Sequence, residues 1–286
     1  MPTRPAAESA PLPTHDCQPS PTRNFLGNRF VYCVLSERAG GLSIGINMNP
    51  DKRCNFDCVY CEVDRSQQGG ASRVKTTVML AELERLLTLV HAGRLGELGY
   101  HPASPEMLPF KEVAFSGDGE PTLCPNFREV VEAVIHLRSR RKFPFFKIVL
   151  ITNATGLHLP EVRAGVALFT AVDEVWAKLD VGTQEHMNAV NRSGVSLDLV
   201  LNNILDLARE RPVVIQSLFP AIDGAGPSEA EIGAYAERLR ELRDAGARIP
   251  LVQIYSAHRA AVDVLCSHLP LRELSKIART VRTTSG

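Results

Sequence analysis

The chain has 286 residues, 44% hydrophobic and 22% charged, with 32 basic side chains set against 32 acidic ones. That length suits one large domain or two small ones, and a formal charge of zero argues against a protein whose main business is a sequence-independent grip on nucleic acid. No run of about 18 apolar residues occurs, which excludes a spanning helix, and the N-terminus lacks a charged-then-apolar signal pattern.

Residues 1–24 hold six of the nineteen prolines among Ala, Ser and Thr. Such a composition cannot bury a core, so a disordered tail is expected ahead of a single domain over residues 25–286. Cytoplasmic placement is the simplest expectation. From residue 25 onward, short β-branched runs alternate with stretches of helical periodicity, the mark of βα units around a parallel sheet.

Six such units can be counted. The first pairs a strand over Leu42 to Met48 with a helix over Val78 to Leu95, with a cysteine-rich loop between them. The second joins a strand over Glu112 to Ser116 to a helix over Asn126 to Arg141, with Asn126 and Glu129 as the two halves of a capping box. Its end carries the basic run Arg138, Arg140, Arg141 and Lys142, read as a solvated face that complements the helix dipole.

The third unit takes Phe146 to Thr152 as strand and Leu159 to Phe169 as helix. In the fourth, Glu174 to Asp180 is followed by a long polar loop and a helix over Leu197 to Glu210. The fifth runs from Val213 to Phe219 into a helix over Ser228 to Ala245, ended by Gly246. The sixth places a strand over Leu251 to Ser256 and a last helix over Leu271 to Val281.

Alternation along the later strands sets Trp176, Lys178 and Asp180 on one face, with Gln216, and Gln253 with Tyr255, following on the next two. A polar face recurring on three successive strands does not suit a doubly covered sheet. The expected fold is therefore α/β, an incomplete (β/α)6 barrel with a wet lumen. Trp176, Lys178, Gln216, Gln253 and Tyr255 would line that lumen, and Lys178, Tyr255, Gln216 and Gln253 are the candidate catalytic residues. Lys178 either contacts an anionic group or moves a proton, or simply pairs with Asp180.

Seven cysteines, an odd number in a chain this long, make a complete disulfide framework a poor reading and metal binding or catalysis the better one. Three of them, Cys54, Cys58 and Cys61, form a Cys-x3-Cys-x2-Cys run at the C-terminal end of strand one, where barrel sites lie. Structural zinc usually closes with four ligands, and no fourth Cys or His stands at a matching offset. Three thiolates on a four-iron cubane would leave one iron open.

With Tyr60 before its third cysteine, this run resembles the cluster loop of radical S-adenosylmethionine (SAM) enzymes. The resemblance implies a [4Fe-4S] cluster on Cys54, Cys58 and Cys61, with SAM bound at the open iron. It also implies cofactor-binding roles for Tyr60 and for Gly117, Asp118, Gly119, Glu120 and Pro121, which match a Gly-Gly-Glu-Pro-like motif except that Asp118 replaces its first glycine. Glu120 and nearby carbonyls would receive the methionine amino group. Thr152 and Asn153 would lie near the SAM carboxylate and ribose, and Asp180 would accept from the ribose hydroxyls. Arg192 would either clamp a carboxylate or make a surface ion pair.

The runs Gly45-Ile46-Asn47-Met48-Asn49-Pro50, Ala189-Val190-Asn191-Arg192 and Val252 to Ser256 with His258-Arg259 resemble the branch grouped with wyosine-type tRNA-modifying synthetases. The implied reaction is reductive cleavage of SAM to a 5′-deoxyadenosyl radical that takes hydrogen from a small molecule or an RNA base. A flavodoxin or ferredoxin would serve as electron donor. The alternatives are an activase that installs a glycyl radical on a partner protein and a non-catalytic metal-binding module.

Overall fold

The computed structural model describes residues 25–66, 69–95, 109–257 and 261–286. The expected tail, Cys17, His258 and Arg259 lie outside the described residues. Strands β1 (Val31–Ser36), β2 (Gly41–Asn47), β3 (Phe110–Ser116), β4 (Lys147–Thr152), β5 (Glu174–Lys178), β6 (Val213–Leu218), β7 (Ala221–Ile222), β8 (Val252–Tyr255) and β9 (Cys266–Ser267) alternate with seven α-helices. These are α1 (Thr76–His91), α2 (Phe127–Ser139), α3 (Pro160–Val166), α4 (Gln184–Val190), α5 (Leu197–Glu210), α6 (Glu229–Asp244) and α7 (Leu271–Ser285).

The main sheet runs β1-β2-β3-β4-β5-β6-β8. Its last six strands are mutually parallel and are the six expected from the sequence. Helices cover one face. There Leu42, Ile44, Ile46, Val113, Phe115, Ile148, Leu150, Val175, Ala177 and Ile215 join the main core with the inward sides of α1, α2 and α5. Alternation turns the other residues of each strand into the lumen of a partial barrel.

The lumen is layered. At the N-terminal end of the strands Lys147 pairs with Glu112 and Glu174. Above it Ala114, Val149, Trp176 and Val214 form a small buried cluster. Trp176 therefore belongs to an apolar plug, with its indole N–H donated to Glu174 at 2.7 Å, and does not line an open polar pocket as expected. Lys178, Gln216, Gln253 and Tyr255 follow one layer higher.

Three elements escape the sequence reading. Strand β1 pairs antiparallel with β2 and closes one edge, through a hairpin turn in which Gly40 takes φ 68°. Helix α4 occupies part of the expected polar loop, and β7 and β9 form a two-stranded ribbon. Two readings are corrected. Asn126 stands at the N-cap of α2 and donates to Glu129 at 3.2 Å, but its side chain caps no helix N–H: its carboxamide accepts from Val74 N at 3.2 Å and donates to Val74 O at 2.9 Å, tying α2 to the chain before α1. Arg138 is not solvated, because it meets Asp173 in a buried two-pronged ion pair at 2.6 and 2.9 Å.

Candidate cofactor site at the C-terminal end of the sheet

The cysteine loop leaves β2 and is fastened on three sides. Phe56 and Val59 are buried beneath it. Asp57 N and Val59 N donate to the carbonyls of Asn191 and Val190 at 3.0 and 2.9 Å, so the end of α4 acts as its anchor. Asn55 reaches β4, accepting from Asn153 Nδ2 at 2.8 Å and donating to Thr155 Oγ1 at 2.9 Å. From the C-terminal side, Val262 N donates to Cys61 O at 2.9 Å.

The Gly-rich turn after β3 packs directly on this loop. Glu120 N donates to Arg53 O at 3.0 Å. A Cβ on Gly119 would lie 1.9 Å from that same carbonyl, so only glycine fits. Gly117 has φ 142°, and a side chain there would collide with Asn47 Oδ1 at 2.3 Å. These glycines admit the cysteine loop and β2 at close range. Pro121 opens a short 3-10 turn and is buried.

Asp118 is held by Asn47, accepting from its Nδ2 at 2.6 Å while Asp118 N donates to Asn47 Oδ1 at 3.1 Å. Close to Gly119, the Asn49 carboxamide oxygen is buried without a hydrogen-bond donor.

Each of the three sulfurs receives one N–H. Phe56 N donates to Cys54 Sγ at 3.5 Å, Asn191 Nδ2 to Cys58 Sγ at 3.4 Å, and Arg65 Nη1 to Cys61 Sγ at 3.1 Å. Donors of this kind stabilise thiolates and tune a cluster's potential. Burial, reinforced by Glu120 and opposed by the Phe56 amide, pushes the Cys54 thiol up to about 11. Burial and the nearby Asp180 carboxylate push Cys58 up to about 12. Thiols so placed ionise when a positively charged centre takes their protons' place. Among the described residues no three His, Cys, Asp or Glu side chains gather as a set for one metal ion. Three cysteine sulfurs with N–H partners are the ligand type that an iron–sulfur cluster takes.

Glu120 is buried, and its carboxylate accepts from Thr122 N at 3.0 Å, Thr122 Oγ1 at 2.6 Å, Thr152 Oγ1 and Asn153 N at 2.7 Å. It joins the ends of β3 and β4, which fixes Thr152 and Asn153. Burial raises its pKa against the pull of these donors. Only Oε2, with a single protein donor, keeps capacity for another.

Asp180 is also saturated. It accepts from Leu218 N at 2.9 Å, Lys178 Nζ at 3.3 Å, Asn191 Nδ2 at 2.9 Å and Tyr60 OH. It organises those side chains, with two donors on each carboxylate oxygen. Arg192, at φ 45°, makes an ion pair with Asp263 and serves as a strap onto the segment over Cys61. Its neighbour Asn191 is the residue that touches the site.

Lys178 stands between Asp180 and the faces of Tyr60 and Tyr255, with Nζ 4.9 and 5.4 Å from the ring centroids, and donates to Tyr255 OH at 3.2 Å. Burial works against its charge, but Asp180, Tyr255 and Cys58 prevail and hold it above the usual lysine value. Of the roles expected for Lys178, the pairing with Asp180 is the one its contacts display, at 3.3 Å. Gln216, buried beside it, donates to Gln253 Oε1 at 2.8 Å.

Asn55 and Arg65 were given no role from sequence, and Asn47 and Asn191 entered it only within the matched runs. Asn55 lies inside the cysteine run and Arg65 four residues after it, so proximity to the motif was the available signal.

No family model matches the chain. A UPF0026 protein of Synechocystis is 26% identical over 186 residues, covering 63% of this chain and 60% of that protein. A UPF0026 protein of Methanocaldococcus jannaschii is 32% identical over 175 residues, covering 60% of this chain and 46% of that one. The chain thus spans three fifths or less of these relatives.

Among solved structures, TYW1 with a lysine-pyruvate adduct bound aligns at TM-score 0.53 and 17% identity over 86% of this chain and 74% of that one. A radical SAM methyltransferase from Sphaerobacter thermophilus aligns at 0.55 and 13% over 89% and 66%. The likeness is one of fold, and the fold is the partial barrel of the radical SAM type expected from the sequence.

Proposed function

We propose that the protein is a radical SAM enzyme acting on a substrate held in the polar layer of the lumen. The observation that carries this reading is the cysteine run itself, three sulfurs each supplied with an N–H donor at the C-terminal end of a radical SAM-type sheet. Cys54, Cys58 and Cys61 would hold a [4Fe-4S] cluster, which with bound SAM supplies reductive cleavage to a 5′-deoxyadenosyl radical.

The chain's own residues position and shield. Arg65 offsets charge at Cys61 Sγ, and the neutral Asn191 amide donates a hydrogen bond to Cys58 Sγ. Gly117 to Pro121 keep the turn flush against the cysteine loop, and Glu120 fixes Thr152 and Asn153 beside it. Asn49 Oδ1 and the spare lone pair of Glu120 Oε2 are the acceptors left for an ammonium group, such as that of the methionine part of SAM. Trp176 and its apolar neighbours seal the lumen from below, keeping water from a reactive radical. Lys178 supplies a fixed positive charge. A separate reductant such as flavodoxin or ferredoxin would deliver the electron.

Anaerobic reconstitution with iron and sulfide tests this. The expected product is a brown protein that forms 5′-deoxyadenosine from SAM and dithionite, with Cys58→Ser losing both properties. A colourless, zinc-loaded protein without SAM cleavage contradicts it.

A further inference from the structure

The sheet's two edges, β1 and β8, face each other across the open side of the barrel, and one side chain crosses the gap. Arg38, in the turn between β1 and β2, donates from Nη1 to Tyr255 OH at 2.8 Å and lies over its ring at 4.8 Å. The same phenol oxygen accepts from Lys178 Nζ at 3.2 Å. Two cationic side chains of different origin thus donate to one phenol oxygen.

Their charges are unequally balanced. Lys178 has Asp180 as counter-ion at 3.3 Å, whereas Arg38 has no carboxylate within ion-pair distance among the described residues. Arg38 is exposed, so the open side of the barrel carries one guanidinium without a carboxylate partner among the described residues.

A second observation lies in the same layer. Lys178, Gln216 and Gln253 are register neighbours across β5, β6 and β8, and Tyr255 follows Gln253 on the same face. Gln216 spends its amide N–H on Gln253 but leaves Oε1 buried without any donor. Leaving a buried acceptor unmet is unfavourable, so such an atom in a lumen points to a ligand that brings a donor.

We infer that the polar layer formed by Arg38, Tyr255, Lys178, Gln216 and Gln253 is a subsite for a small organic monoacid that carries an O–H or N–H donor next to its carboxylate. Arg38 supplies the planar fork that a carboxylate takes in two-pronged fashion, and displaces its Tyr255 bond to do so. Gln216 Oε1 takes the neighbouring donor. A phosphate monoester, near two negative charges at neutral pH, would exceed the single charge available. The inference rests on the radical SAM reading only for the chemistry that follows binding.

Glycolate is the probe, with glycolamide as its neutral isostere. Binding to the full chain, without iron, is followed by ligand-observed NMR titration. Selective binding of glycolate is expected. Arg38→Gln should weaken glycolate by about 10- to 100-fold and leave glycolamide unchanged, and Gln216→Glu, isosteric but anionic, should abolish selectivity for the acid.

Equal binding of acid and amide, or undiminished glycolate binding in Arg38→Gln, overturns the subsite. So does displacement of glycolate by SAM in the iron-loaded protein, which would give the cations to SAM's own carboxylate. Wild-type protein that cleaves SAM yet shows no preference for acid defeats the subsite alone. Selective binding of glycolate by a protein that cleaves no SAM defeats the radical reading and leaves the subsite standing.

Discussion

Asp180 is the best place to perturb the site's framework, because one carboxylate serves four donors from four segments. In Asp180→Asn the shape is kept while one acceptor oxygen becomes an NH2. Whichever way the new amide turns, its donors confront either Lys178 Nζ and Leu218 N or Tyr60 OH and Asn191 Nδ2. Lys178 also loses its counter-ion.

Removing one partner of a buried ion pair costs about 3–5 kcal/mol. The Lys178 side chain keeps 17% exposure and its bond to Tyr255, which lowers the expectation to about 2–4 kcal/mol. Urea unfolding of the iron-free protein under reducing conditions measures this without involving the cluster. In a double-mutant cycle, Lys178→Met should cost less than Asp180→Asn and should recover at least about 1 kcal/mol of its loss. An Asp180→Asn protein within about 0.5 kcal/mol of wild type, or a strictly additive cycle, would refute the assignment of Asp180 as organiser.

Gly119→Ala should destabilise by about 1–3 kcal/mol and lower iron uptake, because the methyl group would drive the turn off Arg53 O; denaturation and iron assays of the purified variant check both. Arg65→Met should retain the cluster but make its reduction potential more negative, since a positive N–H donor to Cys61 is lost, as read by anaerobic redox titration. Asp173 is held below the usual carboxylate range: burial pushes it up, but Arg138 and the amides of Ile148 and Thr170 outweigh that. Its contribution is therefore complete above the unfolded value near 3.9 and is lost as pH falls through the folded one. Asp173→Asn should be about 3 kcal/mol less stable at pH 7 and show a flatter acid limb in pH-dependent melts.

The six parallel strands were legible because each is a short β-branched run bounded by helical periodicity, and the cysteine triplet because its three thiols sit within eight residues. β1 was not, since Val31–Ser36 carries no βα rhythm and its partner is set by the hairpin turn. α4 hid in a polar stretch whose only apolar anchors are Met187 and Val190. For Asp180 and Arg192 the sequence offered a pairing with Lys178 and a surface ion pair, but not their distant partners. Their partners, Tyr60 and Asp263, are 120 and 71 residues away, and only folding brings them together. Arg138 shows the same limit, since its partner Asp173 lies 35 residues on. Arg38 was invisible because it acts across the open seam, between strands that share no register.

The central claim is that three cysteines suffice because one iron is kept for SAM. Electron paramagnetic resonance of the reconstituted, dithionite-reduced protein tests it most directly. A reduced four-iron signal that changes on addition of SAM is predicted, with the change lost in Cys54→Ser, Cys58→Ser and Cys61→Ser. A signal indifferent to SAM, or one that survives all three substitutions, would contradict it.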